Sequence, residues 1–226
     1  MKNLFKIFIQ GFLFLFPWII RRPLLNLIFK FNIDKTAYIG KSIILADQLS
    51  MGPHSAIHNF VFIKNIDSIT LKQFAKLGGF NFLSGFNTKN KKVFQHGSSR
   101  KCEFVLGVHT RVTSKHFFDC NGGIYIGDYT TIAGSGTEIL THSIDVYKNI
   151  QDTAAVTIGN YCFVGTKAII LKGSSLPDYS ILGAGSVLIH NYTQSHAVYG
   201  GNPAKFIKDL SGSEVKYFTR SHGNVD

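Results

Sequence analysis

The sequence predicts an all-β solenoid, a parallel β-helix with a helical segment in front of it and a short C-terminal helix behind. Three observations predict this. Between Ile158 and Thr193 the chain divides without remainder into six hexads: IGNYCF, VGTKAI, ILKGSS, LPDYSI, LGAGSV and LIHNYT. The first position of each is aliphatic (Ile158, Val164, Ile170, Leu176, Leu182, Leu188), and the fifth is usually small (Cys162, Ala168, Ser174, Ser180, Ser186). The same six-residue spacing recurs upstream, at Ile33, Ile39, Leu45, Met51, Ile57 and Ile63. Six is three times the strand period, so every first position returns to one face. An α-helix would turn the row by about 600° per repeat and scatter it over the surface. Glycine at the second position and a small fifth residue are read as the places where the backbone turns tightly.

Residues 1–32 form the first segment. Ile7 to Ile20 reads IFIQGFLFLFPWII, strongly apolar, with Lys2 and Lys6 before it and Arg21 and Arg22 after it. It falls short of the roughly 20 residues that span a bilayer as a helix, Pro17 interrupts it, and no small-residue cleavage site follows. Two readings stay open: a helical cap packed on the repeat body or a neighbouring subunit, and an interfacial anchor with Phe and Trp in the headgroup layer.

The repeat body is assigned to residues 33–200, with loops near 85–104 and 141–156. Leu71 and Leu77 restart the count after a two-residue slip, and Leu106, Val112, Phe118, Ile126 and Ile132 continue it. The basic stretch from Asn87 to Lys101 interrupts it, as either a contact for an anionic acceptor or a solvated loop. Residues 201–226 are assigned to a C-terminal cap and tail.

Composition narrows the function classes. Of the 226 residues, 45% are hydrophobic and 16% charged, which excludes a disordered chain. The net charge of +11 asks for an anionic partner, and no nucleic-acid-binding motif accompanies it. Three scattered cysteines, Cys102, Cys120 and Cys162, argue against a disulfide framework and fit a reducing, cytoplasmic setting, with membrane association left open.

The break between Leu140 and Val156 (THSIDVYKNIQDTAA) carries the candidate chemistry, because loops ejected from a rigid scaffold are where sites are built. His142 opens it. Acyl transfer to a hydroxyl needs a base that is neutral near pH 7, and histidine suits that task. His116 and Asp119 fall about one coil earlier by hexad count and are expected near His142, binding the sugar or orienting the imidazole. The alternative has His116 filling an irregular fifth position and Asp119 capping a corner. Asp145 is read as a solvated loop carboxylate.

The segments IGDYTT and IAGSGT, the coil LGAGSV and the motif GNPAK resemble the hexapeptide-repeat acyltransferases, and FDCNGGIYIGDYTTIAGSGTEILTHSID resembles their polysaccharide O-acetyltransferase branch. The resemblance implies a left-handed winding, acetyl-CoA as co-substrate with no metal, and a homotrimer with the cofactor between subunits. It implies His142, after Thr141, as general base, a sugar or polysaccharide acceptor, and Lys205 of GNPAK near the nucleotide. Gly165, Gly183, Ala184 and Gly185 would leave the wall clear for the pantetheine arm and expose backbone N–H groups. N-acetylation of an amino sugar, a metal-dependent carbonic anhydrase on the same architecture, and a non-catalytic solenoid are the competing readings.

Overall fold

A computed structural model describes residues 3–90, 93–94 and 100–224. Short parallel strands wind round three faces. Phe163 stands opposite Ile181, and Ile169 opposite Val187, a pitch of 18 residues or three hexads. The first face runs through Phe82–Ser84, Phe117–Asp119, Glu138–Leu140, Ile169–Leu171 and Val187–Leu188. The second runs through Glu103–Leu106, Ile124–Ile126, Val156–Ile158 and Ser175–Leu176. The third runs from Tyr38–Ile39 through Arg111–Val112 and Ile181–Leu182 to Ala197–Gly200.

First-position side chains fill the interior. Ile158, Val164, Ile170, Leu176, Leu182 and Leu188 are all buried, and so are Ile33, Ile39, Met51, Ile57 and Ile63. Leu45 departs from the expected register: this coil is one residue short, so Ile44 takes the interior place beside Ile63, and Leu45 pairs with the exposed Lys64 on the other side of the strand. Each such burial stabilises by roughly 1.5–3 kcal/mol. The small fifth residues are buried too, and the Ser174 hydroxyl donates to the Leu171 carbonyl at 2.6 Å. The two-residue slip has a local cause. Strand Phe62–Leu71 bends round a corner and serves two faces, pairing Ile63 with Leu83 and Ile69 with Phe104, with Ile66 buried between them.

The turning residue is not the second-position glycine. The left-handed backbone conformation falls at the fourth position: Tyr161 (φ 53°), Lys167 (57°), Gly173 (73°), Tyr179 (55°) and Gly185 (66°). The second-position glycine answers to crowding. A Cβ on Gly159 would lie 2.3 Å from Asp178 Oδ1 and 2.6 Å from its backbone nitrogen. Gly127 and Gly165 are crowded by the following coil in the same way, so these corners nest through a missing side chain.

Aromatic and imidazole rings at fourth positions stack along one corner. His54, Phe74, His109, Tyr129, Tyr161, Tyr179 and His196 form a continuous ladder with centroids 4.5–5.2 Å apart. The C-terminal tail runs back along this ladder. Phe218 stands edge-on to Tyr179 and His196, and Tyr217 donates to the Cys162 carbonyl at 2.9 Å. Arg220 donates to Thr131 Oγ1 at 3.2 Å, and Arg111 donates to the Gly223 carbonyl at 2.8 Å. The expected C-terminal helix is replaced by strand Lys205–Asp209, antiparallel to Ala197–Gly200, and one 3-10 turn at Lys216–Thr219. Residues 205–209 cover the last exposed strand edge, a role that requires extended backbone.

At the opposite end α1 (Asn3–Leu13) and α2 (Trp18–Phe29) close the first coil. Gln10 donates to the Ile44 carbonyl and accepts from the Ile44 N–H, both at 2.9 Å. Asn26 exchanges hydrogen bonds with Ile33 in the same manner, and Trp18 donates to the Ala37 carbonyl at 2.9 Å. Arg21 is buried and donates to the carbonyls of Ile39 and Gly40. The helices thereby satisfy edge groups that a solenoid end would leave bare. Trp18 and Arg21 face inward, so neither serves as the lipid-facing or flanking group that the anchor reading assigned to it.

Candidate active site

Two interruptions leave the solenoid at the same corner, between the first and second faces: residues 85–102 and 141–155. The second is an antiparallel hairpin, His142–Asp145 against Ile150–Thr153. Strand Glu138–Leu140 pairs with Phe117–Asp119 of the preceding coil, which sets Leu140 beside Asp119 and delivers His142 over it.

Asp119 is buried and saturated with donors. Its Oδ2 accepts the backbone N–H of Thr141 at 3.0 Å and of His142 at 3.1 Å, and it bonds His142 Nδ1. Its Oδ1 accepts the backbone N–H of Asn121 at 3.2 Å and the Asn121 amide. Thr141 completes the corner, its hydroxyl donating to the Asp119 carbonyl and accepting the Gly122 N–H, both at 2.7 Å. A carboxylate at Nδ1 fixes the proton there and leaves Nε2 as the basic nitrogen. The hydrogen bond to Asp119 raises the His142 pKa above its ordinary value, against the lowering effect of partial burial. The His142 side chain keeps 37% of its surface exposed.

His142 and Asp119 line an open cleft of about 250 Å³ with Lys64, Asn65, Phe82 and Phe117. Phe86 and Phe94, described residues of the first interruption, form its roof. Phe94 stands edge-on to His142 with centroids 5.8 Å apart, and Arg100 lies over the Phe94 ring at 4.8 Å. Asn121 Oδ1 accepts the Phe86 N–H at 2.7 Å and ties that roof to the dyad. The Asn87–Lys101 expectation falls in part on 91–92 and 95–99, outside the described residues.

His116 departs from the substrate-binding expectation. It is buried, its Nδ1 accepts the Thr137 N–H at 3.1 Å, and its Nε2 stands 2.9 Å from the Thr113 hydroxyl. Burial lowers its pKa to about 4, so it is a neutral interior imidazole with both nitrogens engaged. Asp119 departs from the sugar-binding expectation as well, because its oxygens are committed to Thr141, Asn121 and the imidazole. Asp145 accepts the N–H of Tyr147 at 3.0 Å and pairs with Lys148, closing the hairpin turn.

No family model matches the chain. A probable macrolide acetyltransferase of Lysinibacillus sphaericus is 35% identical over 117 residues, covering 50% of this chain and 63% of its own. The mitochondrial gamma carbonic anhydrase 2 of Arabidopsis thaliana is 36% identical over 69 residues, 30% of this chain and 25% of its own. The chain thus spans less than two thirds of either relative. The crystal structure of the polysialic acid O-acetyltransferase OatWY superposes with a TM-score of 0.58 at 19% identity, covering 82% of this chain and 88% of that one. With six hexads in unbroken succession and that superposition, the fold is settled. It is the hexapeptide-repeat acetyltransferase fold.

On this hexapeptide-repeat scaffold the cofactor candidates lie at another corner, between the third and first faces and further towards the C-terminus. Gly165 is buried, and the N–H groups of Gly165, Gly183 and Gly185 donate to Leu182, Tyr199 and Thr166 at 2.8, 2.8 and 2.9 Å. They are coil-to-coil bonds, which corrects the expectation of donors left for a ligand. Ala184 and Gly185 are exposed, and a Cβ on Gly185 would meet nothing within 4 Å, so the wall is clear there. Lys205 is exposed at the start of its strand. Among the described residues, no group of three His, Cys, Asp or Glu side chains is placed to hold a metal ion.

Proposed function

We propose that the chain is an acetyl-CoA-dependent acetyltransferase that modifies a hydroxyl of a sugar or polysaccharide. The observation that carries this reading is the Asp119–His142 pair, with Nδ1 anchored and the ring lining an open cleft. In the reaction His142 Nε2 removes the hydroxyl proton as the oxygen attacks the thioester carbonyl. The C–O bond forms, the C–S bond breaks, and the imidazolium returns its proton to the CoA thiolate. Asp119 holds the tautomer and stabilises the imidazolium. No covalent enzyme intermediate is required.

The left-handed winding and a homotrimer belong to the same reading. Ala184, Gly185 and Lys205 would then accept the cofactor, with His142 supplied across a subunit boundary. Support comes from the fold shared with a polysialic acid O-acetyltransferase and from the overlap with a macrolide acetyltransferase. The test is transfer of label from acetyl-CoA to a panel of surface glycans and their lipid-linked or nucleotide-linked precursors, with H142A as control. Acetylation of amino sugars alone would move the reaction to nitrogen.

The overlap with two gamma carbonic anhydrases favours one second reading, a metal shared between copies of the chain. Stoichiometric metal in the purified protein, with CO2 hydration and no acetyl transfer, would establish it.

A further inference from the structure

The two capping helices use only one side to close the solenoid. Gln10 and Leu13 of α1, and Arg21, Leu25 and Phe29 of α2, are buried against the first coils. The opposite side is apolar as well, and it is bare. Leu4, Phe8 and Phe12 recur at four-residue spacing along one line of α1 and are 74%, 78% and 59% exposed. Leu15 between the helices and Ile19 and Leu27 of α2 extend the surface, at 79%, 81% and 77%. A helix apolar on both sides is expected only where both sides are covered.

Charge selects the covering. Positions 1–33 hold five basic residues and no acidic one. Two copies meeting through this face would bring like charges together, whereas an anionic lipid surface offers both an apolar interior and the opposite charge. Lys30 is exposed at the end of α2 and offers a cationic group there, while Lys6, half-buried one turn before Gln10, lies on the inward side of α1 within reach of Asp47. Among the described residues no helix is long and apolar enough to cross a membrane. Helices of 11 and 12 residues, anchored edgewise by Gln10 and Asn26, suit a position in the interface plane.

The start of α1 also touches the candidate active site. Asn3 donates to Asn65 Oδ1 at 2.7 Å, and Asn65 lines the cleft that holds His142.

We infer that the outer face of α1 and α2 docks on an anionic bilayer surface and holds the His142 cleft beside it, facing acceptors carried on membrane lipid. The docking itself does not rest on the catalytic reading, and its test reads no activity. The full chain is floated with vesicles of phosphatidylcholine, with and without phosphatidylglycerol, at low and high salt. Flotation with the anionic vesicles at low salt is expected, falling severalfold at high salt or on neutral vesicles. The variant F8S/L15S/I19S, altered only at exposed positions, should float at least about tenfold less while its thermal melt is unchanged. If that variant unfolds, K30E keeps the apolar face and should float severalfold less. Wild-type protein remaining unbound at low salt overturns the proposal, and so does undiminished flotation of F8S/L15S/I19S or of K30E. Equal flotation on neutral vesicles overturns the anionic assignment. A smaller assembly for F8S/L15S/I19S in sedimentation, with no wild-type flotation, assigns the face to a second copy of the chain instead.

Discussion

Asp119 Oδ2 receives the backbone N–H groups of Thr141 and His142 at 3.0 and 3.1 Å and bonds the His142 imidazole besides. One carboxylate therefore fixes both the corner from which the hairpin leaves and the ring that the hairpin carries. The two functions separate under substitution. H142A removes the base alone, so kcat should fall by a factor on the order of 10²–10⁴ with folding intact. D119A should lower kcat and also the melting temperature, because two buried N–H groups lose their acceptor. Steady-state kinetics beside thermal melts distinguish them. More than about a third of wild-type activity in H142A would remove His142 from the mechanism.

Because the hydrogen bond to Asp119 raises the His142 pKa, the base becomes available at higher pH than in an unperturbed imidazole. Activity should rise with pH through that raised value. In D119N the raising interaction is lost and partial burial remains, so the acidic limb of the kcat/KM profile should move to lower pH. A limb that stays in place would dissociate the titration from this pair.

His116 gives a stability prediction of definite sign. Its folded pKa is about 4 against an ordinary 6.5, so the unfolded chain takes up the proton first. The stability of the folded chain should fall as pH drops from 6.5 towards 4 and level off below. His142, with its raised value, acts the other way: its contribution is full below 6.5 and is lost as pH rises through the folded pKa. H116Q keeps the His142 contribution, so the difference in urea midpoint between wild type and H116Q, measured from pH 7 to 4, isolates the buried ring. A constant difference would contradict its burial in neutral form.

At the coil corners the second and fourth positions should respond to substitution by unequal amounts. G159A drives a Cβ into Asp178 and is expected to cost about 1–3 kcal/mol. Y161G relieves a left-handed backbone but removes a ring from the stack, so its loss should be the smaller of the two. Urea unfolding of the pair decides whether nesting or turning governs the hexad.

Lys205 stands exposed beside the GNPAK corner. K205E should weaken acetyl-CoA binding at least about tenfold without unfolding the β-helix, since it places a repelling charge near a phosphate-bearing ligand. Titration calorimetry with unchanged affinity would move the nucleotide away from this corner.

The solenoid was readable because its determinant is local and repeated: Ile158 to Leu188 announce an interior every six residues. His142 stood out as a candidate because an interruption of so regular a pattern is conspicuous. Asp119 was expected near it, yet its role was open between sugar and imidazole, since a hexad count gives a neighbourhood and no side-chain direction. Asn121 was missed, although Asp119 and Asn121, two apart at a coil end, are acceptor and donor in the right order. The Phe94 roof was illegible because it depends on where an irregular loop lands. The glycine assignment failed for a physical reason: crowding by the next coil and a left-handed backbone leave the same small-residue trace, and only coordinates separate Gly159 from Gly185.

The returning tail changes how this molecule should come apart. In a stack whose coils touch only their neighbours, opening propagates one coil at a time, and each unit frays nearly independently. Here Arg220 bonds Thr131 across 89 positions, and Arg111 bonds Gly223 across 112. These links bypass the coils between them, so the last coils cannot open singly while the tail stays seated. The C-terminal half, which holds Lys205 and the coils beyond the His142 hairpin, should therefore exchange its amide protons as one block. Shortening the chain before Tyr217 should split that block into a gradient, with the coil nearest the new end exchanging first.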